Sequence, residues 1–329
     1  MIGADGQAIK DLSDILTGLP ITSLYGEKLA PSEADFTNLD ILLFDIPDVG
    51  SRFYTYLWTM TYVMEAATNY NKPLMILDRP NPISGNLQLA EGPMLDTTTA
   101  SFLGRWPLPV RHSCTLGELA LYFNTTQNIN AHLEVIPCSG WNRNMFQTDW
   151  LLPFVPTSPA IKCFESMLFY PGVCLLEATN VSEGRGTAVP FGIIGAPWMD
   201  GADVAIAFNQ LKQDGVKATD TSYTPMDGKY KHQLCHGIKL ELSSPKDVQP
   251  VITSLLLIKL IHTMYPDHFQ WRPYPTNVNP TGVLHLDRLL GIANSEALFH
   301  LSYPIFIEKV KELTQIPHWT EQINNYLIY

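Results

Sequence analysis

A strand–helix–strand unit in the first quarter of the chain constrains the fold more than any other feature. Asp40–Ile46 is apolar on both faces, as buried parallel strands are. Tyr56–Asn71 has apolar residues at helical spacing, and Pro73–Leu77 is a second short apolar run. Two strands joined by a helix through short connections form a right-handed parallel unit. The sequence therefore predicts an α/β fold with a parallel sheet.

The pattern of segments changes at about residue 197. Before this residue the pattern stays α/β, and Thr115 and Glu118 have the spacing of a capping box. We therefore predict an α/β domain over residues 1–196 and a smaller α+β domain over residues 197–329. The other predicted elements are the helix Leu116–Phe123, the strand His132–Ile136, short extended segments at Leu168–Tyr170 and Val173–Ala178, the helix Ala202–Gln213, the strand Ile238–Ser243, the helix Asp247–Met264 and two short helices near the end.

Composition excludes several classes of partner. The chain of 329 residues is 46% hydrophobic, which is enough to form a substantial core. Its net charge of −11 argues against nucleic acid or an anionic membrane as a partner, because both require a cationic face. The longest apolar run, Val251–Ile261, is too short to span a bilayer. The five cysteines include no CxxC pair, so we predict neither a disulfide framework nor a zinc site.

Polar side chains follow the two strands of the first unit at the point where each strand ends. Asp45 and Asp48 follow the first strand, and Asp78, Arg79 and Asn81 follow the second. The carboxyl ends of neighbouring parallel strands meet at one edge of a sheet, where ligands bind. An ion-pair network that only fixes the loops is the alternative, but the density of polar groups favours a site.

A second polar group occupies the loop Glu177–Thr187. Gly184 and Gly186 flank Arg185, so the backbone can turn sharply and present N–H groups and a guanidinium to an anion such as a carboxylate. Glu177 ends an apolar segment. It is either an acid with a raised pKa or the counter-ion of Arg185.

Two further groups of residues extend the candidate site. Arg52 and Tyr54 follow the first strand, and Arg111 and His112 precede the predicted helix cap. His112 is a ligand contact, a proton carrier near neutral pH or a packed loop residue. The remaining histidines, among them His285, are scattered and predict no metal site.

The chain lacks the motifs GxGxxG, GxxxxGK[ST] and GxSxG, so nothing in it indicates dinucleotide, NTP or serine-hydrolase chemistry. Several carboxylates near aromatic rings fit carbohydrate chemistry, in which two carboxyl groups flank a glycosidic bond. Spacing alone does not separate this function from that of a small-molecule binder.

Several separated motifs together carry a family resemblance. They are FDIPDVGSRFYTY, LDRPNP, EGP, SFLGRWPLPVRHSCTLGELA, FYPGVCLLEATNVSEGRGT, FQWRPYP and the closing WTEQINNYLIY. With them the chain resembles the exo-β-N-acetylmuramidase family, long catalogued as a domain of unknown function. The resemblance implies a Rossmann-like domain, an unusual C-terminal domain and an active cleft between them. It also implies an enzyme that removes terminal N-acetylmuramic acid from the non-reducing end of peptidoglycan fragments of the MurNAc–GlcNAc type, without a cofactor. The implied location is the bacterial cell envelope, either periplasmic or secreted.

The resemblance also implies which residues line the cleft. Among them we predict acid/base or orienting roles for Glu177 and Asp48. Because N-acetylmuramic acid carries a lactyl carboxylate, we expect Arg185 or Arg52 to bind it. The predicted substrate-binding residues are Asp45, Arg52, Tyr54, Asp78, Arg79, Asn81, Arg111, His112, Asn180 and Arg185.

The start of the chain departs from the family pattern. Members begin with a strand-rich segment ending in a Glu-His-Gly motif, whose glutamate is the suspected catalytic carboxylate, and MIGADGQAIKDLSD resembles the stretch after that motif. We expect an N-terminally truncated chain rather than a selected loss of activity, because the remaining polar edge is intact. The leading hypothesis is an exo-acting glycosidase of cell-wall recycling. The alternatives are a non-catalytic muropeptide-binding homologue and, more weakly, a metal-dependent phosphatase built on Asp45, Asp48 and Asp78.

Overall fold

The computed structural model describes residues 11–25, 28–276 and 279–329 of the chain. Its strands are β1 (Leu12–Ser13), β2 (Pro20–Ile21), β3 (Leu42–Phe44), β4 (Leu74–Leu77), β5 (Glu91–Met94), β6 (Pro109–Arg111), β7 (Leu133–Ile136), β8 (Ile193–Ala196), β9 (Val216–Tyr223) and β10 (Cys235–Leu242). Its α-helices are α1 (Tyr56–Asn69), α2 (Leu116–Thr126), α3 (Phe164–Val173), α4 (Gly201–Gln210), α5 (Pro250–Met264), α6 (His285–Leu290), α7 (Tyr303–Thr314) and α8 (Trp319–Ile323).

The first part of the chain is built on a parallel sheet with the strand order β3-β4-β7. Leu42 pairs with Leu74, and Leu74 pairs with Leu133 on its other side. Helix α1 connects β3 to β4, and its buried face includes Trp58, which contacts Phe123 of α2. The predicted α/β class is confirmed, and so are the three strands and the helix between the first two, with slightly shorter bounds.

The start of α2 is fixed against the end of β4. Thr115 and Glu118 form the predicted capping box, with each side chain accepting the other residue's backbone N–H. The N–H of Gly117 donates to Asp78 Oδ1 at 2.8 Å. A Cβ at Gly117 would lie 2.5 Å from Val135 Cγ1, so only glycine allows this close approach of helix and sheet.

A second, antiparallel sheet has the strand order β8-β10-β9. Helix α4 packs on β9 and β10, and α5 packs against α3. The buried side chains Val204 and Phe208 of α4 belong to the same apolar core as Ile238 of β10. The predicted helices at α4 and α5 and the predicted strand at β10 are confirmed, whereas β8 and β9 were not predicted.

The segment before the loop Glu177–Thr187 is helical, which corrects the predicted extended segments at Leu168–Tyr170 and Val173–Ala178. Helix α3 covers the first segment, and a 3-10 helix over Cys174–Ala178 covers nearly all of the second. Nearly every side chain of α3 is buried, so this helix lacks an amphipathic pattern. A short buried helix cannot be told from a buried strand by periodicity alone.

Buried polar contacts join the early and late parts of the chain. The carboxylate of Glu91 in β5 accepts the N–H groups of Val251 and Ile252 at 3.0 and 2.6 Å, and so caps the start of α5. Near the end of the chain, Trp319 Nε1 donates to the carbonyl of His112 at 2.9 Å. The domain boundary at residue 197 stays a prediction. Among the described residues, no helix is both long enough and apolar enough to cross a membrane.

Candidate active site

Asp48 and His112 form a buried pair at the carboxyl end of the parallel sheet. Asp48 Oδ2 accepts the N–H of Gly50 at 2.8 Å and lies 3.2 Å from His112 Nε2. His112 Nδ1 accepts the N–H of Cys114 at 3.2 Å, so the proton of the neutral imidazole is on Nε2. Asp48 Oδ1 and His112 Nε2 are buried, and within the described part of the chain neither has a hydrogen-bond partner. Asp48 Oδ1 is therefore an unpaired acceptor, whereas the Nε2–H of His112 faces Asp48 Oδ2.

Asp78 and Asn81 lie at the same edge but are fully engaged with the protein. Asp78 Oδ1 accepts from Gly117, and its Oδ2 accepts from Tyr329 Oη at 3.0 Å. Burial raises the pKa of Asp78. Asn81 donates to the carbonyl of Cys114 at 2.9 Å and accepts the N–H of Ile83 at 3.0 Å. Both residues position the loops around the Asp48–His112 pair.

A second cluster is centred on Glu177, which is 5% exposed. Its carboxylate accepts hydrogen bonds from Arg185 Nη2 and from His285 Nε2, the latter at 2.9 Å. Burial alone would raise the pKa of Glu177, but the charge of Arg185 and the hydrogen bonds from both partners outweigh it and lower the pKa to about 2. Of the two sequence alternatives for Glu177, the structure shows the counter-ion and not the acid with a raised pKa.

Glu183 extends this cluster into a row of alternating charges. It lies 3.2 Å from Arg185 Nε and 2.9 Å from Lys229 Nζ. Gly186, in the same loop, has φ +77°, and a Cβ there would lie 2.2 Å from the backbone nitrogen of Asp227. The predicted sharp turn around Arg185 therefore requires glycine, and it brings the guanidinium between two carboxylates.

Three aromatic rings connect the two clusters. The ring of Tyr54 lies 6.0 Å from that of Tyr170, which lies 4.9 Å from that of Phe191. The guanidinium of Arg185 lies 5.0 Å from the centre of the Phe191 ring. At the other end, burial, and to a smaller extent the charge of Asp48, raises the pKa of Tyr54. Aromatic rings thus extend from Arg185 to Tyr54, which lies close enough to Asp48 for the charge of this carboxylate to affect the pKa of the tyrosine.

Arg52 and Arg111 lie inside the protein, which corrects the prediction that they line the cleft. Both are at most 1% exposed, and burial lowers their pKa values to about 9 and about 10. Their guanidinium groups bind backbone carbonyls, so they link segments and are unavailable to a ligand. The acceptors are Pro93, Leu108 and Leu289 for Arg52, and Ile83 and Val248 for Arg111.

Three other predicted residues have contacts of their own. Arg79 and Asp45 form an ion pair at 2.6 Å, with side chains 48% and 45% exposed, and exposed pairs contribute at most about 1 kcal/mol. Asn180 bonds the backbone of His268 and Gln270, both at 2.8 Å. None of these residues contacts the Asp48–His112 pair or Glu177 through a hydrogen bond.

His285, Glu183 and Lys229 were not among the predicted site residues. Glu183 lies inside the predicted loop, so its proximity to Arg185 could have been expected. His285 is 108 residues from Glu177, and no spacing or motif in the sequence connects the two.

No cluster of three or more histidine, cysteine, aspartate or glutamate side chains that could hold a metal ion occurs in residues 11–25, 28–276 and 279–329. Asp45, Asp48 and Asp78 thus form no such cluster, although the phosphatase alternative requires one.

A separate groove of about 610 Å³ lies beside Glu91, between the start of α5 and the last helices. Gln249, Ile252, Lys311 and Thr314 are among its lining residues. It contains none of the predicted site residues.

The fold and these clusters define an α/β protein with a buried carboxylate–arginine–histidine site. Family models for the N-terminal and C-terminal parts of the exo-β-N-acetylmuramidase NamZ match residues 3–165 and 168–329. The chain belongs to this family.

Individual relatives agree with this assignment. The chain is 44% identical over 266 residues to the peptidoglycan β-N-acetylmuramidase NamZ of Bacillus subtilis; the match covers 81% of this chain and 64% of the relative. A crystal structure of a DUF1343 family protein from Bacteroides fragilis superposes with a TM-score of 0.86 at 27% identity. A second such protein from the same organism gives 0.68 at 31% identity. Both comparisons cover 96% of this chain and 82% of the other, and confirm the two-part α/β architecture.

Proposed function

We propose that the protein releases terminal N-acetylmuramic acid from the non-reducing end of peptidoglycan fragments. The observation that carries the proposal is the 44% identity to a peptidoglycan β-N-acetylmuramidase. The chain spans 64% of the length of that relative, so the activity belongs to the proposal and not to the comparison.

The geometry supports different roles for the carboxylates of Glu177 and Asp48. Glycoside hydrolysis requires one group that transfers a proton and a second carboxylate that acts as nucleophile, base or charge partner. Glu177, with a pKa of about 2, stays ionised at neutral pH and suits the role of the charged, orienting partner. Asp48 has one oxygen without a hydrogen-bond partner among the described residues and suits contact with a substrate hydroxyl or a proton.

The experiment that tests the proposal is hydrolysis of a chromogenic aryl N-acetylmuramide by the wild type and by Glu177→Gln. We expect the substitution to lower kcat/KM at least about 100-fold, because it removes the charge from the centre of the cluster. Glu165→Gln on the exposed surface of α3 is the matched control and should retain activity.

Three results would decide between the hypotheses. Full activity of Glu177→Gln would remove Glu177 from the catalytic set. A wild-type chain that binds the muramic disaccharide in a titration but never cleaves it would establish the non-catalytic muropeptide binder instead. A chain that neither binds nor cleaves the sugar would contradict the proposal.

The proposed substrate also suggests a location. Peptidoglycan fragments arise in the bacterial cell envelope, so we propose that the protein acts there, either periplasmic or secreted. Fractionation of cells that express the full-length gene tests this, and recovery in the cytoplasmic fraction alone would contradict it.

A further inference from the structure

His285 is a buried histidine whose position is set by unusual local structure. It is 4% exposed and is the first residue of α6. Leu284, immediately before it, is in the left-handed region at φ 56° and ψ 31°, which is unfavourable for a residue other than glycine. The ring of Tyr274 stacks on the imidazole at 4.8 Å and 27°. These features hold the ring in one plane, with Nε2 directed at Glu177.

The contact with Glu177 determines which ring nitrogen carries the proton. Glu177 also binds the guanidinium of Arg185, so its carboxylate is ionised and can only accept hydrogen bonds. His285 Nε2 lies 2.9 Å from Glu177 Oε2 and must therefore donate. In the neutral imidazole the other nitrogen, Nδ1, is then an acceptor.

Nδ1 differs from the carboxylate oxygens of the cluster, which all contact a cationic or histidine side chain. It is buried and has no hydrogen-bond partner among the residues that the structure describes. By contrast, both oxygens of Glu177 are occupied, and Glu183 binds both Arg185 and Lys229. Leaving a buried acceptor unpaired is unfavourable, so such atoms are normally matched by a water or a ligand.

We propose that His285 is a further substrate-positioning residue, whose Nδ1 accepts a hydrogen bond from a hydroxyl or amide N–H of the terminal N-acetylmuramyl residue. The inference rests on the proposed function and extends it to a residue that no motif contains. Glu177 fixes the tautomer of His285, and His285 Nδ1 then recognises a hydrogen-bond donor on the sugar. A buried acceptor of this kind discriminates strongly against an analogue that lacks the donor.

Two substitutions separate the two nitrogens of the ring. In His285→Gln the amide group can still donate to Glu177 as Nε2 does, but the acceptor at the Nδ1 position is lost. In His285→Asn the side-chain oxygen can occupy the Nδ1 position, but the contact with Glu177 is lost. His268→Gln is the control, because His268 is an exposed imidazole that stacks on Trp198 at 5.7 Å.

The measurement is calorimetric titration with a thio-linked MurNAc–GlcNAc disaccharide, which is not hydrolysed, and with analogues that each lack one hydroxyl or the amide N–H. We expect His285→Gln to bind the disaccharide about tenfold more weakly, which corresponds to the loss of about one hydrogen bond. One of the analogues should lack the group that binds Nδ1. The wild type and His285→Asn should bind this analogue about tenfold more weakly than they bind the disaccharide, whereas His285→Gln should bind both ligands with the same affinity. The control should match the wild type.

Three outcomes would overturn the inference. The first is that His285→Gln binds every sugar with the affinity of the wild type. The second is that its affinity falls by the same factor for every analogue. Either result would show that His285 accepts no hydrogen bond from the sugar. If His285→Asn shows no discrimination between the analogues, the role of His285 is structural only. In these cases the proposed function stands. A wild-type chain that does not bind the disaccharide contradicts the proposed function itself.

Discussion

The guanidinium of Arg185 is shared between Glu177 and Glu183 and lies over the ring of Phe191. With Arg52 inside the protein and bound to carbonyls, Arg185 is the remaining one of the two arginines predicted to bind the lactyl carboxylate. Two carboxylates already hold it in place, so its orientation is set before a ligand arrives. This pre-organisation favours a specific contact with an acidic sugar.

We predict that Arg185→Lys discriminates less between the muramic disaccharide and its N-acetylglucosamine counterpart. Lysine keeps the positive charge that Glu177 and Glu183 require but loses the planar fork that grips a carboxylate. Affinity for the thio-linked muramic disaccharide should fall about tenfold and that for the counterpart less than threefold, as measured by calorimetry.

The control for this prediction is Arg105→Lys, which changes another partly buried arginine that is paired with a glutamate, Glu65. It should leave both affinities unchanged. If Arg185→Lys loses affinity equally for the two sugars, Arg185 does not bind the lactyl group.

At the scale of single residues, the sequence predicted the Glu177–Arg185 pair as one of two alternatives for Glu177, because one glycine-containing loop holds both residues. It could not show that Arg52 turns inward to bind carbonyls, because a buried arginine and a cleft arginine have the same sequence context. Nor could it predict His285, whose contact with Glu177 depends on the packing of α6 against the 3-10 helix over Cys174–Ala178.

The helices and strands that were predicted are those whose apolar residues form a clear pattern along the sequence. Those without such a pattern were not predicted. The strands β3, β4 and β7 and the helices α1 and α2 follow from apolar runs and a capping box. Nearly every side chain of helix α3 is buried, and β9 carries mostly polar, exposed side chains, so neither has the pattern on which prediction relies. Their identity depends on tertiary packing.

The contact between β5 and α5 predicts a dependence of stability on pH. Burial raises the pKa of Glu91 to about 7, against the lowering effect of its hydrogen bonds to α5 and the charge of Arg111. A carboxyl group whose pKa is higher in the folded state binds its proton more tightly there. The free energy of unfolding therefore gains up to about 3 kcal/mol as the pH falls from about 7 to 4.5.

Glu91→Gln should remove this gain, because glutamine keeps an oxygen that accepts from α5 but does not titrate. Urea unfolding of the wild type and the variant at pH 5 and pH 8 measures the difference. Glu165→Gln, which changes an exposed glutamate of α3, should retain the wild-type dependence. A Glu91→Gln protein with an unchanged dependence would assign the titration to other groups.

Across the whole molecule, the site depends on contacts between parts of the chain that are far apart in sequence. The Asp48–His112 pair follows β3 and β6, whereas Glu177 and His285 lie in the 3-10 helix over Cys174–Ala178 and in α6, which pack against each other. Tyr54, Tyr170 and Phe191 connect the two. We therefore expect an acidic sugar to bind beside this row and not in the groove beside Glu91.

A crystal structure with the thio-linked MurNAc–GlcNAc disaccharide tests this placement most directly. We expect the muramyl residue to contact the Glu177–His285 pair, with its lactyl carboxylate at Arg185, and the disaccharide to extend towards the Asp48–His112 pair. A disaccharide bound in the groove beside Glu91, or at any surface that touches neither pair, would contradict the account.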